Sequence, residues 1–392
     1  MTPSLSKRLD GVSESATLRL NAKVQELKAA GKPVINLTAG EPDFNVPDPV
    51  KQAVIDAVHQ NQSKYTPVPG IMKLREAIAE KTNRDQPSLA AKKPWAAKNV
   101  IVTNGGKQAL SNFFFATLNP GDEVLIPSPF WVSYPEMVMI AGGVPKLVPS
   151  TFESGFKINP GDLRRAITPR TKVLVLNSPS NPTGVMYSKE ELKKLGEVLK
   201  APGAEQIWIV SDEIYDRIIL GDLPFCSFGE ACPDLGDRIV TVGGLSKSAA
   251  MTGWRVGWSV ASVNVTQAMN TLQGQSTSGI NAPAQWAAIA SLKLPEKTFE
   301  LQQDIFKRRL QIALEILSKS AKIKWVVPAG SFYLFVGVGE DSVSFCERLL
   351  EQALVAVVPG EPFGEKEFVR ISFATDDQTL RQGLEKLVKF TG

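Results

Sequence analysis

A single histidine, His59, stands among 392 residues, alongside only three cysteines and no long apolar run. So little histidine argues against a His-rich metal site and against a Ser-His-Asp triad. His59 itself falls in a helix-patterned stretch and is expected at the surface. Cys226, Cys232 and Cys346 form an odd, sparse set, unsuited to a disulfide framework. No segment reaches the roughly 20 apolar residues that span a bilayer. Met1 to Asp10 also lacks the apolar core of a secretory signal. The expectation is a reducing, cytoplasmic setting with no membrane partner. Charge of one sign is scarce too: 44 basic residues face 40 acidic ones, and the surplus of +4 is spread along the chain. With no basic run, nucleic acid is not an expected partner. The weak positive balance suits small dianionic substrates without selecting them.

What is present is an ordinary globular composition, 43% hydrophobic and 21% charged. The length suits a large domain with a smaller one beside it. From Ala16 to Ala30 apolar residues recur at helical spacing, and Gly31 and Pro33 stop the helix. Val34 to Leu37 reads as a strand ending in the turn Ala39-Gly40-Glu41-Pro42-Asp43. Helical patterns cover Pro49 to Asn61 and Ile71 to Asn83; between them Tyr65-Thr66-Pro67-Val68-Pro69-Gly70 continues neither.

The rhythm then alternates. Short β-branched runs at Val100–Thr103, Glu123–Ile126, Lys172–Leu176, Ile207–Ser211 and Arg238–Val242 are separated mostly by helix-length segments. That pattern predicts an α/β fold, a mostly parallel sheet with helices on both faces. In such sheets ligands bind beyond the carboxyl ends of the strands. A long helix over Pro295–Ser320 changes the register. It is followed by Phe332–Val336, a helix near Ser342–Gln352, a strand at Phe368–Phe373 and a last helix. This tail reads as a smaller α+β domain to which the N-terminal helix folds back. The expected division is 1–48 as arm and part of the smaller domain, 49–290 as the large domain, and 291–392 as the rest of the smaller one.

Polar residues gather after the strands. Lys247, in Gly243-Gly244-Leu245-Ser246-Lys247-Ser248, sits where a lysine can be desolvated and held for Schiff-base chemistry, although a solvated loop lysine is the ordinary alternative. A nucleotide-binding P-loop is rejected by spacing, because Ser246 and Thr241 occupy the two glycine positions. Asp212 ends another strand in Ser211-Asp212-Glu213-Ile214-Tyr215. A carboxylate there can keep a pyridinium nitrogen protonated, and the Tyr215 phenol can donate to a ring oxygen; a helix N-cap beside a half-buried tyrosine fits the same letters. Asn181 lies in the rigid turn Asn177-Ser178-Pro179-Ser180-Asn181-Pro182-Thr183-Gly184. In Thr103-Asn104-Gly105-Gly106-Lys107-Gln108 the glycines at a helix start make a phosphate cradle or a plain tight turn. Arg255 is available to the same phosphate, Arg370 to a substrate carboxylate by a bidentate grip, and Trp131 either stacks on a flat ring or fills the core.

Taken in order, these segments resemble the fold-type-I aminotransferases that use pyridoxal 5′-phosphate (PLP), and among them the prokaryotic-type aspartate aminotransferase subgroup. The likeness runs from Ser15-Ala16-Thr17 through Ala39-Gly40-Glu41-Pro42-Asp43-Phe44 to Arg370-Ile371-Ser372. It is carried most by Asn181-Pro182-Thr183-Gly184, by Ser211-Asp212-Glu213-Ile214-Tyr215, and by Ser246-Lys247 with Met251-Thr252-Gly253-Trp254-Arg255. The resemblance implies that Lys247 carries PLP as a Schiff base and later moves protons between the substrate α-carbon and the cofactor. It implies that Asp212 pairs with the ring nitrogen, that Asn181 and Tyr215 bond the ring oxygen, and that Trp131 stacks on the ring. Gly105, Gly106, Ser246 and Arg255 then hold the phosphate, with Tyr65 reaching it from the partner of a homodimer. Gly40, Asn181 and Arg370 receive the α-carboxylate. Lys107 and Thr17 match the residues that meet a distal carboxylate, with neutralising the cofactor phosphate the other role open to Lys107. The implied substrates are therefore aspartate, glutamate and their 2-oxo acids, with prephenate a second amino acceptor. A transaminase for aromatic amino acids or alanine is the near alternative, and a non-catalytic binding protein on the same fold the distant one.

Overall fold

The computed structural model describes residues 6–13 and 16–391, without the side chains of 16–18. Among the described residues eight strands precede the long helix: β1 (Ile35–Asn36), β2 (Val100–Asn104), β3 (Glu123–Ser128), β4 (Val144–Pro149), β5 (Thr171–Asn177), β6 (Trp208–Asp212), β7 (Ile239–Gly244) and β8 (Val256–Val260). All but β1 form one seven-stranded sheet in the order β2-β8-β7-β6-β5-β3-β4. Only β8 runs against the others, antiparallel to both β2 and β7.

The parallel strands lie between two cores, as their near-continuous apolar runs require. Along β5, Val173 and Val175 enter the core under the helices Gly106–Thr117 and Val263–Ser276, while Leu174 and Leu176 enter the core under Lys189–Lys200. Each of these side chains is essentially fully buried, worth roughly 1.5–3 kcal/mol relative to exposure.

Beyond the helix Glu296–Leu317 come β9 (Lys324–Trp325), β10 (Tyr333–Gly337), β11 (Val355–Ala356), β12 (Val358–Pro359) and β13 (Phe368–Ser372). Strands β12-β13-β10-β9 make an antiparallel sheet of four, and β1 pairs in parallel with β11. The N-terminal strand thus joins the C-terminal elements. Leu380, Leu384 and Leu387, one helical stripe, pack with Phe306, Leu310 and Leu317 of the long helix against Leu334, Val336, Val369 and Ile371.

The expected strands are present, and five more are described: the short β9, β11 and β12 beyond the long helix, and β4 and β8 in the large sheet. β4 carries Pro145 and Pro149, and prolines suit it because it is an edge strand paired only with β3. β8 begins at the end of the Met251–Gly257 segment expected to serve the phosphate. Its Gly257 admits the neighbouring backbone, since a Cβ there would meet the Gly106 nitrogen at 2.3 Å. Among the described residues no helix is long and apolar enough to cross a membrane.

Candidate active site

The strand order brings the carboxyl ends of β2, β3, β5, β6 and β7, with the start of β8, to one end of the sheet. There a cavity of about 290 Å³ is lined by Gly40, Gly106, Lys107, Trp131, Asn181, Asp212, Tyr215, Ser246, Lys247, Arg255 and Arg370, eleven of the residues singled out from sequence. Gly105 lies directly behind Gly106. Two others are not brought in. Tyr65 is fully exposed and lines no part of this cavity. Thr17 belongs to the helix Ala16–Ala29, but its side chain lies outside the described residues.

Lys247 is largely enclosed, and its amine donates to the Gly40 carbonyl oxygen at 2.5 Å. Burial, and then the like charge of Arg370, lowers its pKa to about 8. Such a lysine is neutral often enough near neutrality to act as nucleophile and base. Asp212 is 5% exposed, and burial raises its pKa to about 6. Opposing that rise, the Tyr134 hydroxyl donates to Oδ2 at 2.6 Å and the Ile214 N–H to Oδ1 at 3.3 Å. The second bond makes a turn of residues 212–214 rather than the start of a helix.

Asn181 directs its Oδ1 at Arg370, accepting from Nη1 at 3.0 Å, so its NH2 is the group it offers to a ligand. Tyr215 is buried and its hydroxyl donates to that of Tyr333 at 3.3 Å; burial drives both phenols upward in pKa. Arg370 projects from β13 and is 3% exposed. Its Nη2 donates to the Thr38 carbonyl at 3.0 Å, Tyr333 lies 4.4 Å beneath the guanidinium, and Nε has no partner. No carboxylate pairs with Arg370 among the described residues. A buried guanidinium held only by neutral acceptors is costly to keep, and its unmet demand is for an anion.

At the cavity rim the helix Gly106–Thr117 begins without a side-chain cap, leaving its first N–H groups directed outward. Gly105 has φ +80°, and a Cβ on it would stand 2.6 Å from Arg255 Nη2. Glycine is therefore what allows Arg255 to lie over this helix start, where its guanidinium bonds the carbonyls of Thr252 and Asn104. Ser246 is buried alongside. Lys107 lies toward solvent, its amine 4.9 Å from the centre of the Trp131 ring; partial burial and then Arg255 lower its pKa. Trp131 is half-buried and meets Tyr134 edge-on at 5.3 Å.

Among the described residues that line the cavity, four cations against the single carboxylate of Asp212 suit a ligand with several negative charges. The uncapped helix start and Arg255 fit a phosphate, the carboxylate fits a protonated ring nitrogen, and the lysine fits an aldehyde, which is the donor set that PLP requires. Residues 32–387 match the model of the family "Aminotransferase class I and II".

The chain belongs to this family.

Its family uses PLP, and the chain is a transaminase. The probable aspartate/prephenate aminotransferase of Rhizobium leguminosarum bv. phaseoli is 43% identical over 402 residues, covering 99% of this chain and 98% of that protein. The aspartate aminotransferase of Geobacillus stearothermophilus is 43% identical, with 98% of each covered. Among solved structures, the aspartate aminotransferase from Thermus thermophilus with maleate superposes with a TM-score of 0.93 at 42% identity, covering 99% of this chain and 100% of that one.

Tyr134 and Tyr333 were not anticipated from sequence, yet both line the transaminase cavity. Tyr134 lies three residues after Trp131, on the helix Ser133–Ile140, and that spacing was the available signal.

Proposed function

We propose that the chain is an aspartate aminotransferase that binds PLP through Lys247 and exchanges the amino group between L-aspartate or L-glutamate and their 2-oxo acids. The observation that carries this reading is Arg370, buried in the same cavity as Lys247 with no acidic partner among the described residues. Its free Nε and the Asn181 amide are the groups an incoming α-carboxylate meets.

Bound there, PLP supplies an electron sink for the pair left when the substrate α-proton departs. Asp212 holds a proton on the ring nitrogen by charge attraction in a desolvated setting. Tyr215, turning its hydroxyl from Tyr333, and Asn181 would donate to the ring oxygen, and Trp131 would stack on the ring. The N–H groups of Gly106 and Lys107, with Ser246 and Arg255, neutralise the phosphate. The Lys247 amine, when free, would carry the α-proton, and a pKa near 8 suits that transfer. Lys107, with Thr17, receives the distal carboxylate. In a homodimer Tyr65 reaches the phosphate of the partner's site, which gives its full exposure in one chain a use. Residues 49–290 form the PLP-binding domain and 291–392, with 1–48, the smaller one. A cytoplasmic setting accords with this chemistry.

Prephenate as a second amino acceptor draws support from relatives named aspartate/prephenate aminotransferase, including those of Cereibacter sphaeroides and Nitrosomonas europaea.

The test is the visible spectrum of the purified protein before and after L-aspartate is added without an oxo acid. A yellow band that gives way to the shorter-wavelength band of the aminated cofactor supports the reading. A yellow band indifferent to aspartate but discharged by alanine or phenylalanine transfers the assignment to the rival transaminases. No band, even with PLP supplied, overturns it.

A further inference from the structure

Residues 37–47, between β1 and the helix Asp48–His59, form no helix or strand, yet they bring Gly40 into the wall of the cavity. Leu37 is held by backbone bonds to Ala356 and Ser372 and is buried; beyond it, with no strand ladder, the segment depends on packing and on side-chain tethers. Four of them reach the polar wall. Arg370 Nη2 bonds the Thr38 carbonyl, Lys247 Nζ bonds the Gly40 carbonyl, Thr252 Oγ1 donates to Glu41 at 2.6 Å, and Arg309 grips Asp43.

These tethers are not equivalent. On the reading above, on which this inference rests, Lys247 turns to the cofactor and Arg370 to the substrate, so both are diverted during turnover. The Thr252 contact is a single exposed hydrogen bond. The Asp43–Arg309 pair is different: both guanidinium Nη atoms donate to the carboxylate, at 2.7 and 2.6 Å, in a bidentate fork. Arg309 is 5% exposed and lies 5.7 Å from the Phe44 ring and 5.9 Å from that of Phe306, which themselves meet edge-on at 5.1 Å. Its Nε lies 3.5 Å from Asp377 Oδ1. Arg309 sits on the long helix Glu296–Leu317, so the fork fastens the wall to the frame of the C-terminal elements.

We propose that Asp43 and Arg309 are a positioning pair: their fork fixes the 38–44 wall so that the backbone around Gly40 stays in register with Arg370 when the substrate carboxylate arrives. Neither residue lines the cavity, so the pair acts through the segment. Its loss should weaken capture of the carboxylate more than it slows proton transfer.

Arg309→Ala risks misfolding, because it leaves Asp43 and Asp377 without their buried partner. The informative variants are Asp43→Asn, which keeps the shape and loses the charge, and Arg309→Lys, which keeps the charge and loses the fork. Two measurements are made on each. Hydrogen–deuterium exchange of the cofactor-free protein follows the amides of residues 37–47. Steady-state kinetics of the PLP-loaded enzyme give KM for L-aspartate, with maleate as a competing dicarboxylate. The expected result for Asp43→Asn is faster exchange confined to 37–47, and KM and the maleate inhibition constant raised roughly tenfold or more with kcat changed far less, since displacement of a positioning group is felt mainly in binding. Arg309→Lys should fall between Asp43→Asn and the parent. Unchanged exchange in 37–47, or kcat and KM altered without that split, would overturn the proposal even if the melting temperature fell. The exchange readout needs no cofactor, so failure of the aspartate assignment and failure of the positioning pair are told apart.

Discussion

The Tyr134 hydroxyl donates to Asp212 across 78 positions of sequence at 2.6 Å, joining the helix after β3 to the end of β6. Asp212 is otherwise enclosed, and its burial favours the neutral acid. The hydrogen bond opposes that burial and helps keep the carboxylate charged, the state that holds a proton on a pyridinium nitrogen.

Tyr134→Phe removes the donor and nothing else of the ring. A hydrogen bond to a charged acceptor is worth about 1.5–3 kcal/mol, equivalent to about one to two pH units. The Asp212 pKa therefore rises in the variant. The acid limb of the kcat/KM profile for L-aspartate should move upward, with activity at neutral pH reduced. A limb that stays in place would show that Asp212 does not lean on Tyr134.

Glu213 faces away from the cavity and gives a prediction about stability. It is 7% exposed, its Oε1 accepts from Ser211 and Ser227, and burial raises its pKa to about 7 from the ordinary 4.5 of a glutamate. A folded-state value above the unfolded one means the native state holds the proton more tightly. Its stabilisation is complete below about pH 4.5 and is lost as pH rises through about 7. Asp212, also raised, adds to the decline over a lower window. Glu213→Gln keeps an oxygen for both serines and carries no titrating proton. The melting temperature of the cofactor-free variant should fall less than that of the parent between about pH 5 and pH 8. Equal slopes would mean that Glu213 does not titrate in this range.

The fold was legible where one signal sufficed, and the site where the residues followed strand ends. Alternating β-branched runs and helical spacing located most strands and the long helix, because these elements bury regular apolar faces. β8 was missed although Val256, Trp258 and Val260 alternate with Gly257 and Ser259, because it is only five residues long and opens directly after Arg255 with no α-helix between it and β7. Eleven cavity residues were reachable because Lys247, Asp212, Asn181 and the Gly105-Gly106 turn lie in distinctive local segments. Tyr333 had no such segment: it opens an antiparallel strand from the C-terminal half, and only the packing of that sheet against the cavity brings its hydroxyl to Tyr215. The Asp43–Arg309 fork spans 266 positions, beyond the reach of any local pattern.

Gly105 supplies a prediction about cofactor retention. Its φ of +80° with ψ of 165° is a region essentially reserved for glycine, costing about 1–3 kcal/mol for other residues. Gly105→Ala would also press a Cβ against Arg255. PLP should dissociate roughly tenfold more readily, or faster still, as followed by loss of the visible band on dialysis. Pyridoxal, which lacks the phosphate, should be retained almost equally by variant and parent. Equal loss of both ligands would move the defect away from the phosphate cradle.

Lys107 decides between two uses of a rim cation. It pairs with no carboxylate among the described residues, and its amine stands over Trp131 beside Arg255. If it meets the distal carboxylate of the substrate, Lys107→Glu replaces an attraction with a repulsion that alanine, lacking that carboxylate, does not feel. A charge-assisted hydrogen bond of about 1.5–3 kcal/mol corresponds to roughly a 10- to 150-fold effect, so the aspartate-to-alanine ratio of kcat/KM should fall by at least that range. If Lys107 serves only the phosphate, both substrates should decline together and PLP should be lost more easily. Because the side chain is exposed, the melting temperature should hardly change, and a shift in the ratio then reports recognition rather than folding.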